Sequence, residues 1–254
     1  MDKFYIKKLI TFFYHFKNTI KKNHSISRSL MYHRIVNDDF LNKDIWAINK
    51  NRFLEHMNFL LDSKNLNLSS CEDILKKNNK EISVSISFDD GTIDCYEIAA
   101  PILLERNIPF TIFIITNFAK TNKYGYMNIK QIRDLVSNPL VRVGSHSVNH
   151  LDLTKCSNNQ LKKEILDSKN YLEDSLNIEI NMISYPYGKY NKRVQQFTKE
   201  FNYKLAFCSD FSQIYNKNLR YRIPRTEIWN KDTIKIFKEK LRGDWDWLRF
   251  SLSK

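Results

Sequence analysis

The stretch Ser85–Gly91, S-I-S-F-D-D-G, decides the fold. An apolar, β-branched run ends there in two adjacent carboxylates and a glycine. This pattern predicts a buried strand over residues 82–88 that delivers Asp89 and Asp90 to its carboxyl end. In α/β folds, ligands and chemistry lie at that end of the strands. Two neighbouring carboxylates repel each other, so the pair also predicts positive charge close by.

Strand and helix patterns alternate outward from this stretch, between residues 30 and 240. Short apolar runs predict strands at 30–36, 110–116, 141–145, 181–185, 204–208 and 219–224. Amphipathic patterns predict helices at 51–62, 71–77, 92–106, 128–137, 157–176, 192–201 and 231–241, with a break at Pro101. The alternation predicts a single α/β domain with a parallel sheet, and the number of units favours a barrel of the (β/α) kind.

The composition is that of a globular protein, with 254 residues of which 42% are hydrophobic. The four cysteines are widely spaced, which predicts reduced thiols in a cytoplasmic protein rather than a disulfide framework or a cysteine zinc site. The apolar runs are too short to predict a transmembrane helix. A net charge of +13 favours anionic partners, which include phospholipid surfaces, phosphorylated substrates and nucleic acid.

Residues 1–27 form a basic segment that we expect to be amphipathic. As a helix, it would carry Leu9, Phe12, Phe13 and Phe16 on one side and lysines around the rest. This pattern is typical of a helix that lies in the plane of a membrane surface, although a first helix packed on the domain is the alternative. The segment lacks the small-residue cleavage site of a signal peptide.

Two histidines four residues apart, His146 and His150, follow the predicted strand at 141–145. Together with one carboxylate of the Asp89–Asp90 pair they predict a metal site of two imidazoles and one carboxylate, which leaves open positions for water and substrate. The second carboxylate could be the general base of a hydrolase. Helix capping is the alternative role for an aspartate here, but it explains only one of the two.

The order of these motifs, S-F-D-D-G, then H-S-V-N-H, then Y-P-Y-G, resembles that of the polysaccharide deacetylases, the NodB-homology domain of carbohydrate esterase family 4. The resemblance extends from L-M-Y-H-R-I near residue 30 to Y-R-I-P-R near residue 225. It implies a deacetylase domain over residues 28–254 that folds as a distorted (β/α)7-type barrel. It also implies metal-dependent hydrolysis of the amide bond of an N-acetylated amino sugar.

The resemblance implies a role for each motif residue. Asp89 would be the catalytic base, and Asp90, His146 and His150 would bind zinc or another divalent transition metal. Tyr187 would offer its backbone N–H to the oxyanion, which needs a fixed donor opposite the attacking water.

Two departures from the family pattern concern the partner of the base and the general acid. Ser184 stands where the family has an arginine that pairs with the base, so we expect Arg225 or Arg34 to supply that charge. No histidine follows His150, and the late Leu-x-His motif is therefore absent. His33 is the best remaining acid for the leaving amine, and a histidine that only hydrogen-bonds at a strand end is the alternative.

The sequence thus predicts a carbohydrate N-deacetylase. The basic N-terminal segment and the net charge favour a lipid-linked, polyprenyl-phosphate sugar of the cell envelope or of lipid A as substrate. They also favour a cytoplasmic protein that is peripheral on the inner membrane. An exported peptidoglycan or poly-N-acetylglucosamine deacetylase is the alternative enzyme. A non-catalytic carbohydrate- or nucleic-acid-binding protein on the same fold is the alternative of another class, but the intact motif set argues against it, and we expect no nucleic-acid partner.

Overall fold

The structure is a computed structural model, and it describes residues 7, 10–11, 27–37, 44–75, 82–215 and 217–249. The strands of the described residues are β1 Arg28–Tyr32, β2 Arg34–Val36, β3 Ala47–Asn49, β4 Leu66–Ser69, β5 Ile82–Phe88, β6 Phe110–Ile114, β7 Val141–Ser145, β8 Met182–Ser184, β9 Leu205–Phe207 and β10 Arg225–Glu227. The α-helices are α1 Lys50–Asp62, α2 Ala100–Glu105, α3 Thr116–Lys120, α4 Ile129–Val136, α5 Asn158–Lys162, α6 Ser168–Leu176, α7 Lys192–Glu200 and α8 Ile234–Arg242.

A parallel sheet organises these elements, as the alternating pattern predicts. Its strand order is β10-β1-β5-β6-β7-β8-β9, and β4 pairs with the first half of β5. The two ends of the sheet approach each other through the segment before β10, where the Cys208 N–H donates to the Ile223 carbonyl at 2.9 Å. The sheet is therefore nearly closed into a barrel with helices around it, which confirms the predicted fold class.

Side chains along β5 point alternately toward the surrounding helices and toward the barrel interior. Val84, Ile86 and Phe88 join the large apolar cluster that packs the sheet against the helices. The alternate positions carry hydroxyls, and Ser85 Oγ donates to Ser29 Oγ of β1 at 2.9 Å. Asp89 continues this second set, so the strand points its side chain toward the interior.

The barrel interior is small and tightly filled. It holds a separate apolar cluster that includes Phe113, Met182 and Phe207, all at most 2% exposed. A Cβ on Gly144 of β7 would lie 2.5 Å from the Phe113 ring and 2.9 Å from the Met182 carbonyl oxygen. Only glycine fits at this position without a shift of its neighbours.

Two helices contain π turns where the sequence predicts regular helix. Residues Cys95–Ala99 form a π turn before α2, which begins at Ala100 with Pro101 in its first turn. The helix is not broken at Pro101, because Ala99 and Ala100 keep helical backbone; the predicted break is replaced by the π turn directly before the proline. A second π turn, Lys163–Asp167, lies between α5 and α6. Periodicity does not show this second turn, because the buried residues of the stretch, Leu161, Ile165, Ser168 and Leu172, keep helical spacings of three and four.

Two predicted elements are wrong. The strand expected at 219–224 lies later in the chain, as β10, Arg225–Glu227. The pairing with β1 begins at Ser29 and Arg225, so the strand starts there. Residues 71–75 of the helix expected at 71–77 are turns, and residues 76 and 77 lie outside the described part. The Cys71 side chain fills the barrel interior, which a solvent-facing helix would not allow.

Most of the N-terminal segment lies outside the described residues, and the division at residue 27 stays a prediction. The described residues contact the aromatic C-terminal part of the domain. Lys7 Nζ lies 4.7 Å from the ring centroid of Trp229, and Trp247 Nε1 donates to Thr11 Oγ1 at 3.0 Å. Where the chain is described, its helices are all too short or too polar to span a bilayer.

Candidate active site

Four inward-facing side chains meet near the carboxyl ends of the strands. Asp89 follows β5, His146 follows β7, Ser184 ends β8, and Arg225 begins β10. Asp89, His146 and Ser184 each lie two residues after another inward-facing residue of the same strand, so their side chains also point inward. Arg225 starts lower in the barrel, at the level of Ser29 on β1, and its long side chain reaches upward.

Asp89 and Arg225 form a buried, two-pronged ion pair. Arg225 Nη1 donates to Asp89 Oδ1 at 2.6 Å and Nη2 donates to Oδ2 at 2.7 Å. Ser184 Oγ donates to Asp89 Oδ2 at 2.9 Å and accepts from Arg225 Nη2 at 2.7 Å. Asp89 is 3% exposed and Arg225 is fully buried. Such bidentate, charge-assisted pairs fix both groups in direction as well as in charge.

The charge of Arg225 decides the protonation state of Asp89. Burial alone would raise the pKa of this carboxyl, but Arg225, with a smaller contribution from His146, holds it well below its usual range. Asp89 is therefore a carboxylate at every pH at which the protein would work. Arg34, the other candidate for this charge, lies elsewhere: its Nε contacts Asp94 Oδ2 at 3.0 Å.

Asp90, His146 and His150 present three donor atoms within 4.8 Å of one another. Asp90 Oδ1 lies 3.5 Å from His146 Nε2 and 3.6 Å from His150 Nε2. His146 Nδ1 lies 2.8 Å from the Ser184 carbonyl oxygen. Because a carbonyl only accepts, Nδ1 donates this hydrogen bond and Nε2 is the ring nitrogen that faces Asp90. Two imidazole nitrogens and one carboxylate oxygen fit a divalent transition metal.

His150 belongs to a tight loop beyond β7. Ser147 and His150 both have left-handed backbone, with φ of 65° and 60°. The His150 ring lies between the rings of His146 and Tyr187, with centroid distances of 4.8 Å and 4.6 Å. Burial, together with the neighbouring His146, lowers the pKa of His150 to about 4. The imidazole is therefore neutral near pH 7, which is the form that binds metals.

His33 lies on the other side of the site, between β1 and β2. Its ring packs near Trp46 at a centroid distance of 5.7 Å, and it is a minor influence on the pKa of both Asp89 and His150. Its Nδ1 is buried and has no hydrogen-bond partner among the described residues. Thr92 Oγ1 donates to the His33 carbonyl at 3.3 Å, which ties this backbone to the turn after Asp90.

Tyr187 separates the site from a neighbouring cavity of about 900 Å³. Its backbone is left-handed, with φ of 58°, and 61% of its surface is exposed. Tyr190, Tyr215 and Arg222 also line the cavity. Arg222 is exposed and makes no ion pair with another described residue, whereas Lys189 of the same cavity pairs with Asp152 at 3.0 Å.

Sequence reasoning missed the contribution of two serines. It treats Ser184 only as a departure from a pattern, yet this residue contacts Asp89 through its hydroxyl and His146 through its carbonyl. Ser87 accepts from Arg225 Nη1 at 3.2 Å. The alternation of side chains along a strand could have identified Ser87, because it lies two residues before Asp89 on the same face of β5.

Comparison with known proteins gives a consistent result. A family model described as polysaccharide deacetylase matches residues 76–206, just over half of the chain. The Bacillus subtilis protein YxkH, named as a polysaccharide deacetylase, is 28% identical over 71% of this chain and 63% of its own length. The chain thus spans somewhat less than two thirds of that relative.

Two further proteins are similar over more of their length. A poly-β-1,6-N-acetyl-D-glucosamine N-deacetylase of Staphylococcus aureus is 26% identical over 81% of this chain and 80% of its own. The solved Streptococcus pyogenes deacetylase PplD, in complex with acetate, superposes with a TM-score of 0.79 and 25% identity. That alignment covers 86% of this chain and 99% of the other.

Proposed function

The chain belongs to the polysaccharide deacetylase family, whose members hydrolyse the amide bond of N-acetylated amino sugars, and we propose that it is a metal-dependent N-deacetylase of a lipid-linked amino sugar. One observation carries the enzymatic part of this proposal. A carboxylate that Arg225 keeps ionised, Asp89, lies 3.7 Å from His146 Nε2, beside a three-residue donor set that fits a metal ion.

Asp90, His146 and His150 would hold the metal, and zinc is our choice because two imidazoles and a carboxylate are typical of catalytic zinc sites. A bound zinc ion acts as a Lewis acid that polarises an amide carbonyl and acidifies water. Ser184 orients His146 by accepting its Nδ1 hydrogen. That hydrogen bond keeps Nε2 available as a ligand.

Asp89 is the general base of the proposed reaction. Its ionised carboxylate accepts a proton from the attacking water, and Arg225 and Ser184 keep its oxygens fixed during the transfer. The backbone N–H of Tyr187 stabilises the developing oxyanion. His33 gives a proton to the leaving nitrogen, since an amine must be protonated to depart.

One arginine of the cavity beside Tyr187 supports a phosphate-linked substrate, although the carboxylates Asp210 and Glu227 line the cavity as well. Arg222 lines the cavity without an ion-pair partner among the described residues, and a guanidinium matches the geometry of a phosphate. The net charge of +13 acts in the same direction. In this proposal the N-acetylated sugar lies over the metal site and the phosphate of its polyprenyl carrier contacts Arg222.

The exposed apolar side chains near the site support a membrane-facing orientation. Leu151 and Tyr187 follow β7 and β8, Tyr124 lies between α3 and α4, and Ile45 and Trp46 precede β3; all five are between 41% and 99% exposed. Apolar and aromatic groups on one face of a basic protein are typical of binding to an anionic membrane surface. We therefore propose that the enzyme is peripheral on the cytoplasmic face of the inner membrane, with its basic N-terminal segment contributing to the contact.

The name of the Staphylococcus aureus relatives favours a second candidate, deacetylation of exported poly-N-acetylglucosamine. Exposed tyrosines beside a deacetylase site also suit a neutral sugar polymer, because sugar rings stack on aromatic faces. The two candidates differ in what they require of Arg222, since only a phosphate-linked substrate needs a cation there.

A kinetic comparison separates the two candidates. Three substrates are offered: N-acetylglucosamine joined through a phosphodiester to a short isoprenoid alcohol, the matching uncharged alkyl glycoside, and a β-1,6-linked N-acetylglucosamine oligomer. We expect the phosphodiester to have the highest kcat/KM. Arg222→Gln should lower only that value, by roughly tenfold, as expected for loss of a charge-assisted hydrogen bond.

Arg220→Gln is the matched control, because it removes the same charge two residues away and Arg220 does not line the cavity. It should change none of the three kcat/KM values. Preference for the oligomer, with no effect of Arg222→Gln on any substrate, would reject the lipid-linked substrate in favour of the polymer. Removal of residues 1–22 should also weaken binding to anionic vesicles, and unchanged binding and turnover would contradict the membrane proposal.

A further inference from the structure

Glu164 is a buried carboxylate that the proposed reaction does not use. It is 3% exposed and lies in the π turn Lys163–Asp167, far along the chain from the Asp pair. Its three hydrogen bonds all come from Val148 and Asn149. Oε2 accepts the backbone N–H of Val148 at 3.0 Å and of Asn149 at 2.8 Å, and Oε1 accepts from Asn149 Nδ2 at 2.7 Å.

Those two residues are the middle of the segment that joins His146 to His150. The segment turns back on itself through left-handed backbone at Ser147 and His150, which is unfavourable for residues other than glycine. Ser147 Oγ accepts the His150 N–H at 3.0 Å and so closes the end of the turn. The Asn117 N–H donates to the Val148 carbonyl at 3.0 Å and holds the carbonyl side of the middle. Glu164 holds the N–H side, so the direction in which His150 leaves the turn depends on all three groups.

Glu164 shares the inward face of its helical stretch with residues that fix the stretch on the sheet. Leu161 and Ile165 are fully buried in the main core, and Ser168 Oγ bonds to Ser145 Oγ of β7 at 2.7 Å. Spacings of three and four residues place 161, 164, 165 and 168 on one face, so Glu164 points inward with them. Glu164 also lies in a π turn, and such turns occur frequently at functional sites.

We propose that Glu164 is a positioning residue for the metal site: it holds the 148–149 backbone so that the His150 imidazole faces Asp90 and His146, without contacting the ion itself. The inference rests on the proposed metal site but not on any particular substrate. Groups that orient metal ligands from behind typically change metal affinity by about 10- to 100-fold when they are removed.

The test is the zinc dissociation constant of variants, measured by competition with a chromophoric chelator. Glu164→Gln keeps the shape but removes the negative charge that strengthens the hydrogen bonds to the two backbone N–H groups, and in the side-chain orientation seen here its NH₂ group faces Asn149 Nδ2. We expect zinc affinity to fall by about 10- to 100-fold. Glu173→Gln, on the next helix, α6, removes the same charge from a residue that bonds the Ile180 N–H instead, and it should leave zinc affinity unchanged.

A swap of donor and acceptor distinguishes positioning from general stabilisation. In Glu164→Gln combined with Asn149→Asp, the glutamine oxygen still accepts the two backbone N–H groups and its NH₂ donates to the new carboxylate. The net charge equals that of the unchanged protein. We expect the double variant to bind zinc more tightly than either single variant, and the cobalt(II) absorption spectrum to return toward that of the unchanged protein.

Each outcome decides the proposal. Reduced affinity in Glu164→Gln with recovery in the swap supports it, even if acetate release fails and the proposed function is rejected. Unchanged zinc affinity in Glu164→Gln, with only a lower free energy of unfolding in the metal-free protein, overturns it. Absence of zinc binding by the unchanged chain overturns the metal site as well. Should Glu164→Gln not fold, Asn149→Ala removes the side-chain bond alone and should still weaken zinc binding several-fold.

Discussion

The ion pair between Arg225 and Asp89 gives the sharpest prediction about the fold and the site together. Replacing Arg225 with methionine keeps much of the side-chain volume but removes both hydrogen bonds to the carboxylate. It also removes the bonds to Ser184, Ser87 and the Cys208 carbonyl. The buried Asp89 carboxylate then keeps only one of these side-chain hydrogen bonds, the one that the Ser184 hydroxyl donates.

The size of the effect follows from the burial of the pair. Breaking one side of a buried ion pair costs about 3–5 kcal/mol in the free energy of unfolding, because an uncompensated charge remains inside. For a domain of this size, that corresponds to a fall in Tm of roughly 6–20 °C. Arg34→Met is the matched control. The Arg34 side chain is 47% exposed, and its buried partner Asp94 keeps hydrogen bonds from Thr92 and from the Ile35 N–H, so the loss of Arg34 should cost less, about 1–2 kcal/mol.

Urea unfolding of the chelator-treated protein measures these values without a contribution from bound metal. Asp89→Asn alone leaves the Arg225 charge unpaired, whereas the double variant leaves no buried charge. We expect the double variant to be more stable than the sum of the two single effects predicts, by at least about 1–3 kcal/mol. An Arg225→Met effect no larger than that of Arg34→Met, or strict additivity in the double variant, would refute the buried pair.

Three further predictions concern the core. Burial lowers the pKa of His56 to about 3, so the unfolded chain takes up its proton first as the pH falls. The free energy of unfolding should therefore decrease from about pH 6.5 toward pH 3, by up to about 1.4 kcal/mol per pH unit, and this part of the slope should be missing in His56→Gln; equal slopes would contradict it. Lys240→Met breaks the fully buried pair with Asp232 and should cost about 3–5 kcal/mol in urea unfolding, partly restored by adding Asp232→Asn; a loss below about 1 kcal/mol would show that the pair is not buried. Gly144→Ala should lower stability by about 1–3 kcal/mol through contact with Phe113, and Phe113→Leu should relieve part of that loss; no relief would place the strain elsewhere.

Much of the architecture follows from local patterns. The apolar run that ends in Asp89 and Asp90 predicts β5 to the residue. The helix predicted from residue 128 is α4, and Asn128 caps it because its Oδ1 accepts the Gln131 N–H. The alternation of strands and helices is sufficient for the parallel sheet because each strand is buried and each helix has one apolar face. Elements that form only by pairing with a distant strand are harder to predict from local patterns, as the position of β10 shows.

The site residues also differ in how well local patterns predict them. Motif spacing predicts Asp90, His146 and His150 as a metal site, and the fold gathers their donor atoms within 4.8 Å. The partner of Asp89 could not be chosen from sequence, because Arg225 follows it by 136 residues and only the register of β10 on β1 points its side chain at the carboxylate. Glu164 gave no sequence signal, because only the folded chain brings its carboxylate to the N–H groups of Val148 and Asn149.

In the proposed reaction Asp89 acts as the base beside a metal that it does not bind. The decisive measurement is acetate release from an N-acetylated amino-sugar phosphodiester, by the unchanged protein and by Asp89→Asn, each at measured zinc content. We expect about one zinc per chain in both proteins and acetate release at least about 100-fold slower in Asp89→Asn. Loss of zinc from that variant, or acetate release at an unchanged rate, would show that Asp89 is a metal ligand or is not the base.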